Sequence, residues 1–454
     1  MSLLADLTAA LGPGAVLSGA EVPTRAMSDA SETGRHLPAV LLRPTTTAEV
    51  SAAIAICAHH NQSVVPQGGM TGLAGGANPA AGEVALSLDR LSGIAEIDPE
   101  APSITLRAGT VLQVAQEAAA TAGFLLPIDL GARGSCQIGG IIATNAGGLR
   151  VIRHGMTRDN ILGLEVVLAD GTIVSNLGKL VKNNTGYDLP QLFAGSEGTL
   201  GIITCAVLKL RPLPTTRHTA LCALPDFDSV VKLMQLARKE LPDLSALEVM
   251  WQDYFALLQS AKGLHLFSDA PALAVIIETE TNAVGGPGLE PFLERALEAG
   301  ILTDALIAQS SKETNAFWAV REGHKLAQLM PHLVNFDVSL EIGRMGDFAQ
   351  ACRKTLLQKF PEIRVLFFGH AGDGNLHIVT DQPEPGQEDA THKVEALVYD
   401  LVREFGGSIS AEHGIGTLKR DFLAHSRSAA EISTMRRIKH ALDPLGILNP
   451  GKLL

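Results

Sequence analysis

Apolar positions along the chain fall into short blocks that switch between the strand period and the helix period, with glycine clusters between them. From Pro38 to about Thr204 the two patterns alternate. PAVLLRP reads as a strand leading into a helix whose start, Thr46-x-x-Glu49, has the form of a capping box. SVVPQ, EVALSL and SITLRA read as further strands, and TVLQVAQEAAATAG as an amphipathic helix. LGLEVVLADGTIVS has the pattern of a hairpin turning at Asp170-Gly171. Proline punctuation in KLRPLPTTRH marks a boundary near residues 211–217. Beyond it come strand HTALCAL, a helix from Asp226, strand ALAVIIETE, a helix from Gly288 to Ala299 and a long helix around KETNAFWAVREGHKLAQL. Strand LVNFDVSLEI, a helix to about Phe360, a hairpin and a helix from about Asp389 to Phe405 complete the pattern. The last stretch, from SAEHG to LNPGKLL, has another texture and is expected to return to the first domain. The pattern predicts a first domain of the α+β or α/β kind, built to bind a ligand, in a chain that is α+β as a whole.

The predicted hairpin carries the first chemistry. An Asp373-Gly374 turn of type I′ between RVLFFG and LHIVT would place His370 opposite His377. Opposed residues share a face, with Cβ atoms about 4.5–5.5 Å apart, so the two imidazoles could hold one metal ion. Glu412 could add an oxygen ligand while leaving an open position for substrate, and His413 beside it would remain for proton transfer. The alternative is an incidental cross-strand histidine pair and a surface carboxylate.

Composition narrows the options. At 454 residues, two or three domains are expected. A net charge of −12, with no basic run, excludes nucleic acid as the natural partner. The five cysteines (Cys57, Cys136, Cys205, Cys222, Cys352) are scattered without a CxxC, which excludes a zinc ribbon or an iron–sulfur cluster and predicts a reducing compartment. The N-terminal residues match neither a signal nor a transit peptide, and no apolar run is long enough to span a membrane. The expected location is cytoplasmic.

Three glycine-rich loops stand out in the first domain, at 66–77, 131–148 and 195–201. None fits the Rossmann or Walker fingerprints. Gly with Thr and Ser still forms nests of backbone N–H groups suited to a diphosphate. One such loop is most simply a tight turn; three, each beside an apolar strand, point to a large extended cofactor.

The motifs PQGGMTGLAGG, PIDLGARGSCQIGGIIATNAGGLRVIRHGMTRDNILGLEVVLADG, NNTGYDLPQLFAGSEGTLGIIT, FGHAGDGNLH, SAEHGIG and LNPGK, in this order, resemble the FAD-linked D-2-hydroxyacid dehydrogenases of the vanillyl-alcohol-oxidase flavoprotein superfamily. The likeness is strongest to D-2-hydroxyglutarate dehydrogenases, with D-lactate- and glycolate-oxidising relatives close behind. It covers nearly the whole chain and is loose only between about 216 and 330. It implies a two-subdomain FAD-binding domain (1–212), an α/β substrate cap with the metal hairpin (213–410), and a C-terminal segment (411–454) packed on the FAD domain. The first loop (Pro66, Gly68, Gly69, Met70, Thr71, Gly72, Leu73, Gly75, Gly76) then cradles the FAD pyrophosphate. Gly134, Ser135, Ile138, Gly139, Gly140, Thr144, Asn145, Gly147, Gly148, Gly155, Glu197, Gly198, Ile203 and Asn449 line the rest of the cofactor. Some superfamily members attach FAD through a histidine in the first loop; with Met70 and Thr71 there, the flavin is expected to be non-covalent. Cys136 reads as a packed wall residue.

The resemblance also implies that His370, His377 and Glu412 bind a divalent metal (zinc or manganese) and that His413 is the catalytic base. A D-2-hydroxy acid would chelate the metal through its carboxylate and hydroxyl and pass a hydride from C2 to flavin N5. Arg321, Lys325 and Asn375 are the implied substrate-binding residues. Arg321 and Lys325, four apart on a predicted helix, would share a face and suit a dicarboxylate. The chain departs from hydroxyglutarate dehydrogenases, which tend to carry Lys at 335, Thr at 325 and Asn at 379, where this sequence has Asn335, Lys325 and Val379. A charge moved from 335 to 325 and a shorter acid such as lactate or malate are both open; SAEHG, rather than GEHG, favours hydroxyglutarate. D-lactate, D-malate or glycolate oxidation is the alternative, and a non-catalytic flavin-binding protein a more distant one. With no cysteine cluster, the electrons need an external acceptor: an electron-transfer flavoprotein, a quinone or a cytochrome. A homodimer follows by analogy alone.

Overall fold

A computed structural model describes residues 2–282, 288–323, 325–382 and 388–454. The backbone divides into two compact units. The first comprises Met1–Gly148, His154–Leu213 and Glu412–Leu454; the second comprises Leu149–Arg153 and Pro214–Ala411. Both are discontinuous: five residues after the second glycine loop, Leu149–Arg153, belong to the second unit, a crossing that the sequence pattern does not announce.

The first unit holds two main sheets and a two-stranded ribbon of Phe124–Leu125 with Arg211–Pro212. Val16–Ser18, Val40–Leu42, Val84–Ser87 and Val64–Gln67 lie side by side in that order. Helix Thr47–His59 buries Val50, Ala53, Ile54 and Cys57, a single stripe at helical spacing. Its start is half a capping box. The Thr46 hydroxyl accepts the Glu49 amide at 3.2 Å, but the Glu49 carboxylate accepts the Thr45 amide instead. The second sheet is antiparallel, ordered Ile94–Asp98, Ser103–Arg107, Ile202–Lys209, Ile161–Val167 and Ile173–Asn176. Val167 faces Ile173 and the Leu168 amide donates to the Thr172 carbonyl. The turn therefore takes three residues, Ala169 to Gly171, with Gly171 at a φ of 86°. The C-terminal residues add to this unit through a parallel bridge between Val64 and Leu448.

The second unit is built on one seven-stranded antiparallel sheet: Asp304–Ile307, Thr216–Leu224, Leu273–Thr281, Leu244–Trp251, Val365–His370, Asn375–Asp381 and Leu333–Ser339. Alternate residues feed two cores. Cys222, Val249 and Val275 pack with helices Phe227–Glu240 and Glu290–Glu298 on one face. Ala223, Met250 and Ile276 pack with helices Gln252–Ala261 and Ser311–Arg321 on the other.

Three expectations need correction here. Strand Leu244–Trp251 and helix Gln252–Ala261 have no counterpart in the sequence reading. The strand is central and buried on both faces, so LSALEVMW lacks the polar alternation that marks a half-exposed strand. The long helix around Trp318 ends at Arg321. Gly323 follows at a φ of 63°, and Lys325 stands before a separate short helix, Leu326–Leu329; residue 324 lies outside the described residues. Arg321 and Lys325 therefore share no helix face. Finally, the hairpin register differs: His370 faces Asn375 and His377 faces Phe368, with Ala371 to Gly374 in the turn. Gly374 closes this wider turn with its amide on the His370 carbonyl at 3.1 Å. Asp373 Oδ1 accepts the Asn375 amide at 3.2 Å.

No helix among the described residues is long and apolar enough to cross a membrane.

Candidate active site

In the first unit, the three glycine loops converge on one cavity because glycine lets backbones pass where a side chain could not. A Cβ on Gly69 would lie 2.1 Å from the Ser135 carbonyl oxygen, so the first loop can touch the second only with glycine there. Gly416, at a φ of 52°, would set a Cβ 2.0 Å from the Ala74 carbonyl oxygen, which brings the SAEHGIG segment against the first loop. By contrast, a Cβ on Gly140 or Gly131 would meet nothing within 4 Å: these cavity-lining glycines border open space.

The wall includes Pro66, Gly68, Gly69, Met70, Thr71, Gly72, Leu73, Gly76, Gly139, Gly140, Thr144, Gly147, Glu197, Gly198 and Ile203, all expected from sequence. It also includes Glu412 and His413. The other expected residues are not part of this wall. Asn449 donates from Nδ2 to the carbonyls of Gly76 and Glu197, at 3.0 and 2.7 Å, so it braces two loops. Asn145 Oδ1 accepts the Arg158 amide, and Gly148 leaves room for the Asp129 carbonyl. Gly75 packs on Thr417, Gly155 on Asp159, and Gly134 near Gln113. Ile138 is buried at the start of helix Ile138–Ala143, and the Ser135 hydroxyl turns back to the Ala132 carbonyl. Cys136 is a buried wall residue whose thiol burial pushes up to about 11, so it carries no thiolate at neutral pH.

Two lining residues were not among those expected, Asp29 outside the motifs and Gln137 within the second loop. Asp29 Oδ2 and Gln137 Oε1 are buried acceptors with no protein partner among the described residues. Such atoms on a cavity wall suit the hydroxyl and amino donors of a nucleotide cofactor. Met70, Asn145, Glu197 and Asn449 all have positive φ, between 44° and 59°. Strain of this kind persists where surrounding structure over-determines it, commonly at ligand clamps. Glu197 is buried, and each carboxylate oxygen accepts one amide, from Ile415 and Gly416, both at 2.7 Å. Burial nevertheless holds its carboxyl above the usual range, against the two amides and the Lys419 charge. The residues present fit FAD.

In the second unit, the hairpin still brings His370 and His377 together. Their ring centroids are 5.3 Å apart, roughly edge to face. A slip of two residues keeps side-chain parity, where a slip of one would have sent His377 to the other side of the sheet. His370 is buried, and its Nδ1 lies 2.7 Å from Glu248 Oε1. The second carboxylate oxygen of Glu248 accepts Arg321 Nε at 2.7 Å and pairs with Nη2 at the same distance. Burial pushes the Glu248 carboxyl up, but the pairing with His370 and Arg321 outweighs it and holds the group below the usual range. Arg321 also lies 4.8 Å over the Phe368 ring. No motif pointed to Glu248; its only sequence signal is a carboxylate inside an apolar run.

Two expected substrate residues are engaged elsewhere. Lys325 donates its ammonium to the Ala261 carbonyl. Asn375 donates both Nδ2 hydrogens to the neighbouring strand Leu333–Ser339, to Asp337 Oδ1 at 2.8 Å and the Val338 carbonyl at 3.1 Å, while its buried Oδ1 has no partner among the described residues. It anchors the hairpin.

Known protein families match both parts of the chain. Residues 38–176 match the FAD binding domain family and residues 213–453 the family of FAD linked oxidases, C-terminal domain. The mitochondrial D-2-hydroxyglutarate dehydrogenase of Bos taurus is 39% identical over 97% of this chain and 81% of its own. The D-2-hydroxyglutarate dehydrogenase of Xanthomonas citri pv. viticola is also 39% identical, over 92% and 89%. The chain belongs to the FAD-linked D-2-hydroxyacid dehydrogenases. This family membership makes it an FAD-dependent oxidoreductase. A putative mitochondrial D-lactate dehydrogenase of Schizosaccharomyces pombe, 38% identical over 90% of this chain and 81% of its own, is a further relative. Among solved structures, alkyldihydroxyacetonephosphate synthase superposes with a TM-score of 0.78 at 17% identity, covering 99% of this chain and 85% of that one. p-Cresol methylhydroxylase with substrate bound does so at 0.78 and 16%, covering 99% and 96%. These two establish the fold, that of the vanillyl-alcohol-oxidase flavoproteins.

Proposed function

We propose that this enzyme oxidises D-2-hydroxyglutarate to 2-oxoglutarate, using non-covalent FAD and a divalent metal. The observation that carries the reading is that His413 and Glu412 line the same cavity as the three glycine loops. A proton acceptor there stands beside the place prepared for the oxidant. The names of the relatives support the substrate.

His370, His377 and Glu412 would hold the metal. The fit rests on two imidazoles on one hairpin face, one with its Nδ1 on a carboxylate, as ligand histidines commonly are. When bound, the metal supplies a Lewis acid that lowers the pKa of the C2 hydroxyl, and FAD supplies the acceptor for the hydride leaving C2. His413 takes the hydroxyl proton as general base. Arg321, pinned by Glu248, offers its guanidinium to a substrate carboxylate. The wall residues exclude water and hold the acid in reactive orientation.

A second reading, oxidation of a shorter acid such as D-lactate, draws on specific observations. Arg321 is already paired, Lys325 is bound to the Ala261 carbonyl, and position 335 is an exposed, neutral Asn on strand Leu333–Ser339. Lys325→Met is accordingly expected to leave KM for D-2-hydroxyglutarate unchanged. A rise of about tenfold or more, as for a lost charge-assisted hydrogen bond, would return Lys325 to the substrate.

Anaerobic bleaching of the flavin by D-2-hydroxyglutarate, D-lactate and D-malate, with and without chelator, tests the whole proposal. D-2-hydroxyglutarate is expected to bleach fastest, and chelation to stop it. Bleaching that survives complete metal removal sinks the metal role; reduction by lactate alone favours the second reading. The electrons then leave for an external carrier: an electron-transfer flavoprotein, quinone or cytochrome.

A further inference from the structure

The geometry points to Glu248 as a positioning residue that holds both a metal-ligand histidine and the substrate-gripping arginine; this rests on the reading of His370 as a ligand. Glu248 stands on strand Leu244–Trp251, directly opposite His370 on strand Val365–His370. Opposed residues on neighbouring strands share a face, so the contact is built into the sheet register and owes nothing to a loop. Glu248 is 1% exposed and His370 5%.

An ionised carboxylate in such a place is costly unless fully paired. A neutral residue of similar volume would fill the space without that cost, so the charge must serve a purpose. Its two oxygens divide the work. Oε1 can only accept, so neutral His370 carries its proton on Nδ1, and Nε2, 3.4 Å from Arg321 Nη2, is the ring nitrogen that would serve a metal. Oε2 accepts Nε of Arg321 and pairs with its Nη2, fixing the guanidinium against the Phe368 ring. Phe368 stacks in turn on Tyr254, with centroids 4.2 Å apart, and the Tyr254 hydroxyl donates to the Arg321 carbonyl at 2.8 Å. One carboxylate thereby sets the tautomer and plane of the histidine and the aim of the arginine. The metal and the substrate carboxylate are placed by a common support.

The test uses FAD-loaded protein treated with chelator and titrated with Mn²⁺, following loss of the free-ion signal by electron paramagnetic resonance. Wild type, Glu248→Gln and the double variant Glu248→Gln/Arg321→Met are compared. The double variant removes the arginine that the single change leaves buried and uncompensated, so it stays informative if the single variant fails to fold. Retained flavin and wild-type circular dichroism verify folding. The Mn²⁺ Kd is expected to rise by about 10–100-fold in either variant, the usual loss when the partner of a ligand histidine is removed. At saturating Mn²⁺, Glu248→Gln is expected to raise KM for D-2-hydroxyglutarate while kcat changes little. Glu248→Asp, which keeps the charge, is expected to recover part of both. A wild-type Kd in the folded double variant overturns the role of Glu248 and leaves the metal reading standing. Absence of Mn²⁺ binding by the wild type overturns the metal reading and this one with it.

Discussion

Replacing His413 by Asn is expected to lower kcat/KM by about 10²–10⁴-fold, the usual contribution of a positioned general base. FAD content should be unchanged, because the glycine loops that shape the cavity do not depend on this side chain. The imidazole lines the cavity beside Glu412, so its loss would remove the proposed proton acceptor and leave the rest of the wall in place. The measurement is the rate of anaerobic flavin bleaching in single turnover, where acceptor chemistry plays no part. Full-speed bleaching by the variant would mean that the hydroxyl proton leaves by another route.

The second large effect concerns stability. Glu197→Ala should cost about 2–6 kcal/mol, since it orphans two backbone N–H groups, one buried and one partly buried, at about 1–3 kcal/mol each. The carboxylate that accepts the Ile415 and Gly416 amides stands on a backbone of φ 52°, where alanine is also strained. Chemical denaturation of FAD-saturated protein measures the loss, and a lowered ratio of bound flavin to protein should accompany it. Glu197→Gln, which keeps one acceptor oxygen, should fall between the two. An alanine variant as stable and as yellow as the wild type would show that the two amides find other acceptors.

The site was legible in the sequence where chemistry is carried by contiguous motifs. The glycine loops could be read because a diphosphate cradle needs successive backbone N–H groups, and neighbours in sequence supply them. The same-face placement of His370 and His377 came through although the turn was misjudged, because a two-residue slip preserves parity. Glu248 was not legible: its partners lie 122 and 73 residues away, and its strand is buried on both faces. Lys325 misled because four-residue spacing implies a shared face only if the helix continues, and Gly323 ends it. Leu149–Arg153 join the second unit through the packing of Leu149 and Ile152 on its cores and the ion pairs of Arg150 with Glu278 and Arg153 with Asp243, contacts that no local pattern encodes.

The discontinuity of the first unit bears on how the protein is made. Its glycine loops are translated early, yet Glu412, His413, the two amides on Glu197 and the Asn449 brace arrive only after the whole second unit has been synthesised. Contacts of such sequence separation form slowly. A nascent chain can hold the emerging glycine loops before His413, the proposed base, has been made. On the proposed reading, the order of translation keeps the flavin cradle and the base His413 apart until the segment that resumes at Glu412 has been made.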